Sequence, residues 1–296
     1  MTVTSIDTAL VVEPVLRSPS YSATVWRRFR RDKVAMIAGV VVLALILTAI
    51  FAPWIVPDDP YKGMSLRRLK PVGTPGFILG TDELGRDMLS RLIMGARLSL
   101  FMGVTPVFIA LFIGGAIGVV AGYAGGWLNT ILMRTIDVFF AFPSVLLAIA
   151  LSGALGAGIA NGLISLTIVF VPPIARIAES VTTGIRARDF IEAARASGAS
   201  AITIIRQHVL GNVLGPIFVY AMSLIAVSMI LASGLSFLGL GVKPPEPEWG
   251  LMLNTLRTAL YTQPLLCALP GLMIFITSIA FNMLTDGLRS AMDLKA

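Results

Sequence analysis

Five long uncharged stretches constrain this chain more than any other feature of its sequence. They run from Val34 to Val56, Leu98 to Met133, Val138 to Ala175, Val209 to Val242 and Gln263 to Thr285. A helix needs about 20 apolar residues to cross the hydrocarbon core of a bilayer. The second and third stretches have about 36–38 residues each, which suits parts of two crossings. The pattern predicts an all-α, polytopic membrane protein.

Glycine clusters divide the two longest stretches, because glycine adopts the backbone angles of turns without steric cost. GYAGGW (122–127) divides the first, and GALGAGIANG (153–162) divides the second. Six transmembrane helices are therefore predicted, at residues 34–56, 98–121, 129–152, 162–181, 213–238 and 264–285.

The composition excludes several other classes of protein. Only 13% of the 296 residues are charged and 56% are hydrophobic, whereas a soluble domain averages about 25% charged residues. The single Cys267 and single His208 exclude an intrachain disulfide and a site built from several cysteines or histidines, so no metal site is predicted. The net charge of +7 is not interleaved with aromatic residues as on a nucleic-acid surface, so no nucleic-acid partner is expected.

Basic residues predict the orientation in the membrane. WRRFRRDK (26–33) precedes the first span, which we interpret as an uncleaved anchor with its basic flank in the cytoplasm. Both termini are then cytoplasmic, with a flexible tail at 1–26, a six-helix domain at 27–296, an extracytoplasmic segment at 57–97 and a cytoplasmic loop at 182–212. Trp26, Trp54, Trp127 and Trp249 are expected at the membrane interfaces near the ends of spans.

The cytoplasmic loop contains RDFIEAARASGAS (188–200), which has the signals of a helix, a tight turn and a second helix. Asp189 is expected to cap the first helix together with Glu192, Gly198 to end it, and Ser200 to cap the next one. Ala193, Ala194 and Ser197 have small side chains, so another protein could approach the backbone closely. A solvated connecting loop is the alternative.

Five segments in the same order resemble the permease subunits of ABC importers for dipeptides and oligopeptides, of the C type. The most specific is EAARASGASAITIIRQHVLGNVLGP (192–216), which resembles the cytoplasmic EAA loop of that family. The others are FILGTDELGRDMLSRLIMGARLSL (77–100), GYAGGWLNTILMRTIDVFFAFPS (122–144), ASGLSFLGLGVKPPEPEWG (232–250) and FNMLTDGLRSAMD (281–293). The resemblance covers about residues 26–293.

The resemblance implies a type I ABC-importer permease fold in a bacterial inner membrane. It also implies a homologous B-type permease, two ABC ATPase subunits that bind ATP and Mg, and an extracytoplasmic peptide-binding protein as partners. The chain has no GxxxxGK[ST] phosphate loop of its own, so it is expected to be a non-catalytic subunit without a cofactor. The residues implied to contact the ATPase are Asp189, Glu192, Ala193, Ala194, Ser197 and Gly198.

Two further groups of residues are candidates for function. Small polar residues in or beside the fourth and fifth spans are candidates for the substrate pathway, although such residues serve helix packing as often; they are Asn161, Ser165, Ser223, Ser228 and Ser233. The GTDELGRD segment is a candidate extracytoplasmic contact, with a solvated turn as the alternative; its charged residues are Asp82, Glu83, Arg86 and Asp87.

Several features stay open or depart from the family pattern. Gly211 and Gly215 stand where the family often has proline, which predicts a more flexible exit from the loop. Charged residues three positions apart are expected to pair within one helix, as Arg134 with Asp137 and Arg176 with Glu179. Importers of nickel or glutathione use related permeases, and a secondary transporter or an intramembrane enzyme are alternatives from other classes. Both are disfavoured, because the spans carry few ionisable residues and no catalytic pair.

Overall fold

The computed structural model describes residues 21–292, and the described chain is helical with no β-strand beyond isolated bridges. Eleven α-helices are present in this part. They are α1 (Tyr21–Phe29), α2 (Lys33–Ile55), α3 (Met88–Ala124), α4 (Gly126–Phe140), α5 (Ser144–Leu155), α6 (Ile159–Arg186), α7 (Asp189–Ala196), α8 (Ala201–Ile204), α9 (Leu210–Phe237), α10 (Trp249–Leu256) and α11 (Pro264–Met292).

The long helices run antiparallel between two ends of the bundle. At one end, Phe29 packs with Ala35 of α2 and Ala291 of α11, and α7 lies beside the end of α3. We call this the terminal end. At the other end lie two connecting segments, residues 56–87 and residues 238–263, the second of which contains the short helix α10. Both segments lie against the starts of α3 and α6. We call this the loop end. The chain therefore crosses six times if α4 and α5 count as one crossing.

Three of the predicted spans have longer helices than their apolar cores suggested. Helix α3 begins at Met88, so the segment predicted at 57–97 ends at residue 87. Helix α6 continues to Arg186, and α8 begins at Ala201. Of the loop predicted at 182–212, only residues 187–200 therefore lie between these two helices, and they contain the short helix α7. Charged residues set the predicted boundaries, whereas the helices extend past the bilayer core with their charges included.

The span predicted at 129–152 is not one straight helix, because α4 and α5 meet at an angle of 86°. Pro143 has no backbone N–H, and a proline disfavours helical angles at the residue before it. The described chain consequently has five single helices long and apolar enough to cross a membrane, and this bent pair as a sixth candidate.

The chain that follows the loop at 187–200 is helical, whereas the sequence predicted a more flexible segment there. Residues 201–237 form one continuous helical stretch, with a π-helical turn at Ile205–Val209. Gly211 and Gly215 both lie inside α9, where a Cβ at position 215 would approach the Met292 side chain to 2.7 Å. Residues 1–20 of the predicted tail lie outside the described residues, whereas residues 21–26 are part of α1.

Three glycines spaced by four residues allow α3 and α6 to pack backbone to backbone. A Cβ at Gly114 would lie 2.7 Å from the Val171 carbonyl oxygen, and one at Gly122 would lie 2.7 Å from the Glu179 carbonyl oxygen. Gly118, between them, lies still closer to α6. Small residues at this spacing permit close approach of membrane helices. Gly122 is therefore a packing residue of α3 rather than part of the turn that GYAGGW suggested.

We expect Gly118→Ala to lower the free energy of unfolding by about 1–3 kcal/mol, because the added methyl group meets backbone atoms that cannot move cheaply. Gly115→Ala is the matched control, since a Cβ there meets nothing within 4 Å, and it is expected to be neutral or stabilising by up to about 1 kcal/mol. Thermal unfolding of both variants in detergent tests this. Equal effects of the two substitutions would contradict the packing role of Gly118.

Candidate coupling and loop-end sites

The connection between α6 and α9 contains the eight-residue helix α7. Its N-cap is Arg188, which makes no side-chain capping hydrogen bond, so the prediction that Asp189 caps the helix with Glu192 is wrong. Both acidic residues instead lie in the first turn. Carboxylates at this end of a helix are stabilised by the helix dipole.

The end of α7 follows the signals in its sequence. Gly198 has φ of +80°, a conformation that glycine adopts without steric cost. Its N–H donates to the Arg195 carbonyl oxygen at 3.0 Å, and the Ala199 N–H donates to that of Ala194 at 3.1 Å. This pair of bonds is a Schellman motif, which satisfies the last carbonyls of the helix. The Ser200 hydroxyl then accepts from the Thr203 N–H at 3.3 Å and caps α8 as predicted.

One face of α7 anchors it to the bundle. Ile191 is completely buried, and Ala194 packs against the hydrophobic core. The Arg195 guanidinium lies 5.6 Å from the centre of the Tyr123 ring at the end of α3, a distance typical of a cation–π contact. The Phe190 and His208 rings lie 6.3 Å apart. Helix α7 is therefore in contact with the end of α3 and with the π-helical turn that precedes α9.

The opposite face of α7 is open. The exposed members of the predicted coupling set are Asp189, Glu192, Ala193, Ser197 and Gly198, and Ala194 is half-buried. A Cβ at Gly198 would meet nothing within 4 Å. The helix therefore presents a surface at the terminal end of the bundle that combines small side chains with two carboxylates.

The charged residues of α4 and α6 pair between helices rather than within them. Asp137 of α4 forms an ion pair with Arg176 of α6. Glu179 accepts from the Asn129 amide at 2.7 Å and from the Thr183 hydroxyl at 3.2 Å. The predicted pairs of Arg134 with Asp137 and of Arg176 with Glu179 are therefore wrong. The observed contacts fix α4 against α6.

The loop end contains a buried charge network centred on Asp82. The two carboxylate oxygens of Asp82 accept from the Arg86 backbone N–H at 2.9 Å and from its guanidinium at 2.6 Å. Arg91 Nε lies 3.1 Å from the same carboxylate. Asp82, Arg86 and Arg91 are all at most 4% exposed. A solvated turn, the alternative considered for this segment, is therefore excluded.

The remaining residues of the GTDELGRD segment also stabilise the loop. Asp87 caps α3 by accepting from the Ser90 N–H at 2.7 Å and the Ser90 hydroxyl at 2.6 Å. Glu83 accepts from Arg86 at 2.8 Å and is partly exposed. Because Asp82, Arg86 and Asp87 are buried, their position favours a role in holding the loop together over direct contact with a partner. The contact predicted for Glu83 stays a prediction.

A second buried carboxylate, Glu248, caps α10. It accepts from the Gly250 and Leu251 N–H groups at 2.8 Å each, and burial raises the pKa of this carboxyl above its ordinary value despite these bonds. Trp249, expected at an interface, is completely buried, and its indole N–H donates to the Leu92 carbonyl oxygen at 3.0 Å. Trp54 and Trp127 are exposed at the ends of α2 and α4, and Trp26 is exposed in α1; their place at an interface stays a prediction. No sequence signal connects Trp249 to α3, because 157 positions separate it from Leu92.

The candidate pathway residues lie in or beside α6 and α9. Ser165, Ser228 and Ser233 are buried within the single chain, and the Ser165 hydroxyl donates to the Asn161 carbonyl oxygen at 2.8 Å. The Asn161 amide donates to the Leu155 and Gly156 carbonyl oxygens, and so closes the turn between α5 and α6. The Ser223 hydroxyl bonds within α9. This burial and these local hydrogen bonds are typical of residues that stabilise helices and turns. The role of these residues in a substrate pathway stays a prediction.

Residues 114–296 match the family described as binding-protein-dependent transport system inner membrane component. Residues 20–71 match the N-terminal transmembrane domain of oligopeptide transport permease C. The chain belongs to this family. It is a permease subunit of an ABC importer, in the C-type branch of the peptide permeases, and a multi-pass protein of the inner membrane.

Curated relatives of the permease extend over nearly its whole length. The glutathione transport system permease protein GsiD of Pectobacterium atrosepticum is 42% identical over 289 residues, which cover 97% of this chain and 96% of the relative. GsiD of Escherichia coli O6:K15:H31 is 44% identical over 270 residues, which cover 91% of this chain and 89% of the relative. As members of ABC importers, such permeases work with a partner permease and ATPase subunits.

A solved structure shows the same fold. An inward-facing structure of the MetNI methionine ABC transporter aligns with a TM-score of 0.57 at 19% identity, and the match covers 69% of this permease and 97% of that chain. The prediction of a type I importer fold is confirmed.

Proposed function

We propose that this permease forms, with a homologous B-type permease, the pathway by which an ATP-driven importer moves short peptides into the bacterial cytoplasm. The identity of 42–44% to glutathione permeases over nearly the whole chain carries this proposal. Glutathione is itself a tripeptide with a γ-linked glutamate, so it belongs to the same chemical class as the dipeptides and oligopeptides. A binding protein outside the membrane would deliver the cargo.

In this proposal the permease is a non-catalytic subunit with both termini in the cytoplasm. The terminal end then faces the cytoplasm, and the exposed surface of α7 docks into an ATPase subunit. ATP and Mg bind to the two ATPases, and their closure pushes α7 and, through Ile191 and Tyr123, the ends of the crossing helices. The Schellman turn at Gly198 supports this role, because it holds a short helix rigid without bulk on its outer side.

Uptake by the reconstituted importer tests the proposal. Vesicles containing this permease, its partner permease and the ATPases, supplied with the binding protein outside and ATP inside, are expected to accumulate labelled dipeptide or glutathione. Accumulation should stop when ATP is replaced by a non-hydrolysable analogue and should persist when the proton gradient is dissipated. Uptake of nickel without either peptide, or uptake that follows the proton gradient at constant ATP, would contradict it.

A further inference from the structure

A cavity of about 460 Å³ opens at the loop end between α3, the start of α6 and two loop segments. Its volume is within the range of small-molecule sites in proteins, about 300–1,000 Å³. Apolar and charged side chains both contribute to its wall; they include Tyr61, Met94, Arg97, Phe101, Ile159 and Glu246. None of the predicted site residues lies in this wall.

Arg97 is an unusual cation for its position. It lies nine residues inside α3, a helix long and apolar enough to cross the membrane, and its side chain is exposed to the cavity. Among the described residues it has neither a hydrogen bond nor an ion pair. Arg91, on the same helix, instead forms an ion pair with Asp82 and donates to the Pro60 carbonyl oxygen. Arg97 lies at the loop-end limit of the apolar part of α3, where an exposed guanidinium without a partner within residues 21–292 is free to bind an external anion.

The anion of the cavity, Glu246, is not bonded to Arg97. One of its carboxylate oxygens accepts from the Tyr61 hydroxyl at 3.0 Å, which orients the group. Burial and Glu246 raise the pKa of Tyr61, whereas Arg91 and Arg97 lower it, so both charges act on the same hydroxyl group. A cation and an anion thus line one cavity with capacity left for an external ligand.

We propose that this cavity is a cargo subsite for zwitterionic peptides, in which Arg97 binds the C-terminal carboxylate and Glu246 binds the N-terminal ammonium group. The proposal rests on the proposed peptide-import function and adds a recognition site within the permease itself. Guanidinium–carboxylate contacts are strong because both partners are charged. Met94, Phe101 and Ile159 supply apolar surface for the side chains of the peptide.

Equilibrium binding to the complete membrane complex in nanodiscs, without the binding protein, tests the subsite. The probes are alanyl-phenylalanine, its C-terminal amide and its N-acetyl derivative. The wild-type complex is expected to bind the free dipeptide roughly tenfold more tightly than either derivative, since each lacks one charge-assisted contact. Arg97→Gln should bind the free dipeptide only as tightly as the amide, and Glu246→Gln only as tightly as the N-acetyl form.

Matched variants separate recognition from folding. Arg97→Lys keeps the charge and should retain most of the preference for the free carboxylate. Arg257→Gln removes another exposed cation of the loop end that does not line this cavity, and it should change nothing. Equal weakening of all three probes by Arg97→Gln, or an unchanged preference, would overturn the subsite.

Three further outcomes distinguish failure of the subsite from failure of the proposed import function. If the wild-type complex takes up dipeptides in the transport assay yet binds none without the binding protein, the subsite is wrong and the import function stands. If Arg97→Gln releases only bound phosphatidylglycerol and leaves peptide binding unchanged, the guanidinium serves a lipid phosphate and the subsite is likewise wrong. Failure of wild-type uptake for every peptide would instead remove the proposed function.

Discussion

Gly198→Trp is expected to leave the permease in the membrane and to reduce ATP-driven uptake roughly tenfold or more, the factor that corresponds to a coupling loss of about 1.4 kcal/mol. A Cβ at this position points into open space, so the indole would not disturb the bundle itself. In the proposed complex it would instead stand between α7 and the ATPase subunit. Membrane abundance, ATP hydrolysis and peptide uptake, measured on the same vesicles, separate a coupling defect from a folding defect.

Gly198→Ala is the matched control for backbone strain. Both substitutions force a residue with a Cβ into the left-handed conformation at φ of +80°, at a cost of about 1–2 kcal/mol. Only tryptophan adds bulk on the docking surface, so alanine is expected to retain most of the uptake. Equal loss in the two variants would assign the effect to the turn, and normal uptake by the tryptophan variant would contradict a coupling role for α7.

Asp82→Ala is expected to lower the free energy of unfolding by about 3–5 kcal/mol, because it leaves the buried Arg91 guanidinium without a carboxylate and the buried Arg86 guanidinium with only the partly exposed Glu83. Asp82 is 1% exposed and contacts both Arg86, at 2.6 Å, and Arg91, at 3.1 Å. The substitution also removes the acceptor for the Leu84 and Arg86 N–H groups. Thermal unfolding of the purified permease in detergent measures the loss.

Lys62→Ala is the control for this experiment. Lys62 forms an ion pair with Asp59 at 3.3 Å, but its side chain is 85% exposed, and exposed pairs contribute about 0–1 kcal/mol. A difference of several degrees in the unfolding temperature should therefore separate the two variants. If both variants unfold alike, the charge network at the loop end does not stabilise the fold.

Local signals in the sequence predicted much of the coupling site. Gly198 and Ser200 end one helix and start the next because turn and capping chemistry depends on a few neighbouring residues. The N-cap predicted at Asp189 is one residue too late. The helix begins at Asp189 and its N-cap is Arg188, so the Asp189 carboxylate lies in the first turn. Helix boundaries often differ by one or two residues even between assignment methods.

The loop end shows what local patterns leave undetermined. GTDELGRD reads equally well as a solvated turn, because nothing near it in the sequence indicates that Asp82 is buried. Arg91 bonds to the Pro60 carbonyl oxygen 31 positions away, and Ser99 accepts from the Trp249 N–H 150 positions away. Such partners are brought together only when α3, α10 and the loops pack.

The sequence by itself determined that the chain is a helical membrane protein with five or six candidate spans, and it located the short helix α7. The length of an apolar stretch and the residues that end a helix each exert their effect within one helix or one turn, so both can be recognised in the sequence. The tertiary structure alone decided that Asp137 pairs with Arg176 and that Trp249 is buried. These features depend on which helices become neighbours, and burial then decides whether a charge or an indole is paired, packed or exposed.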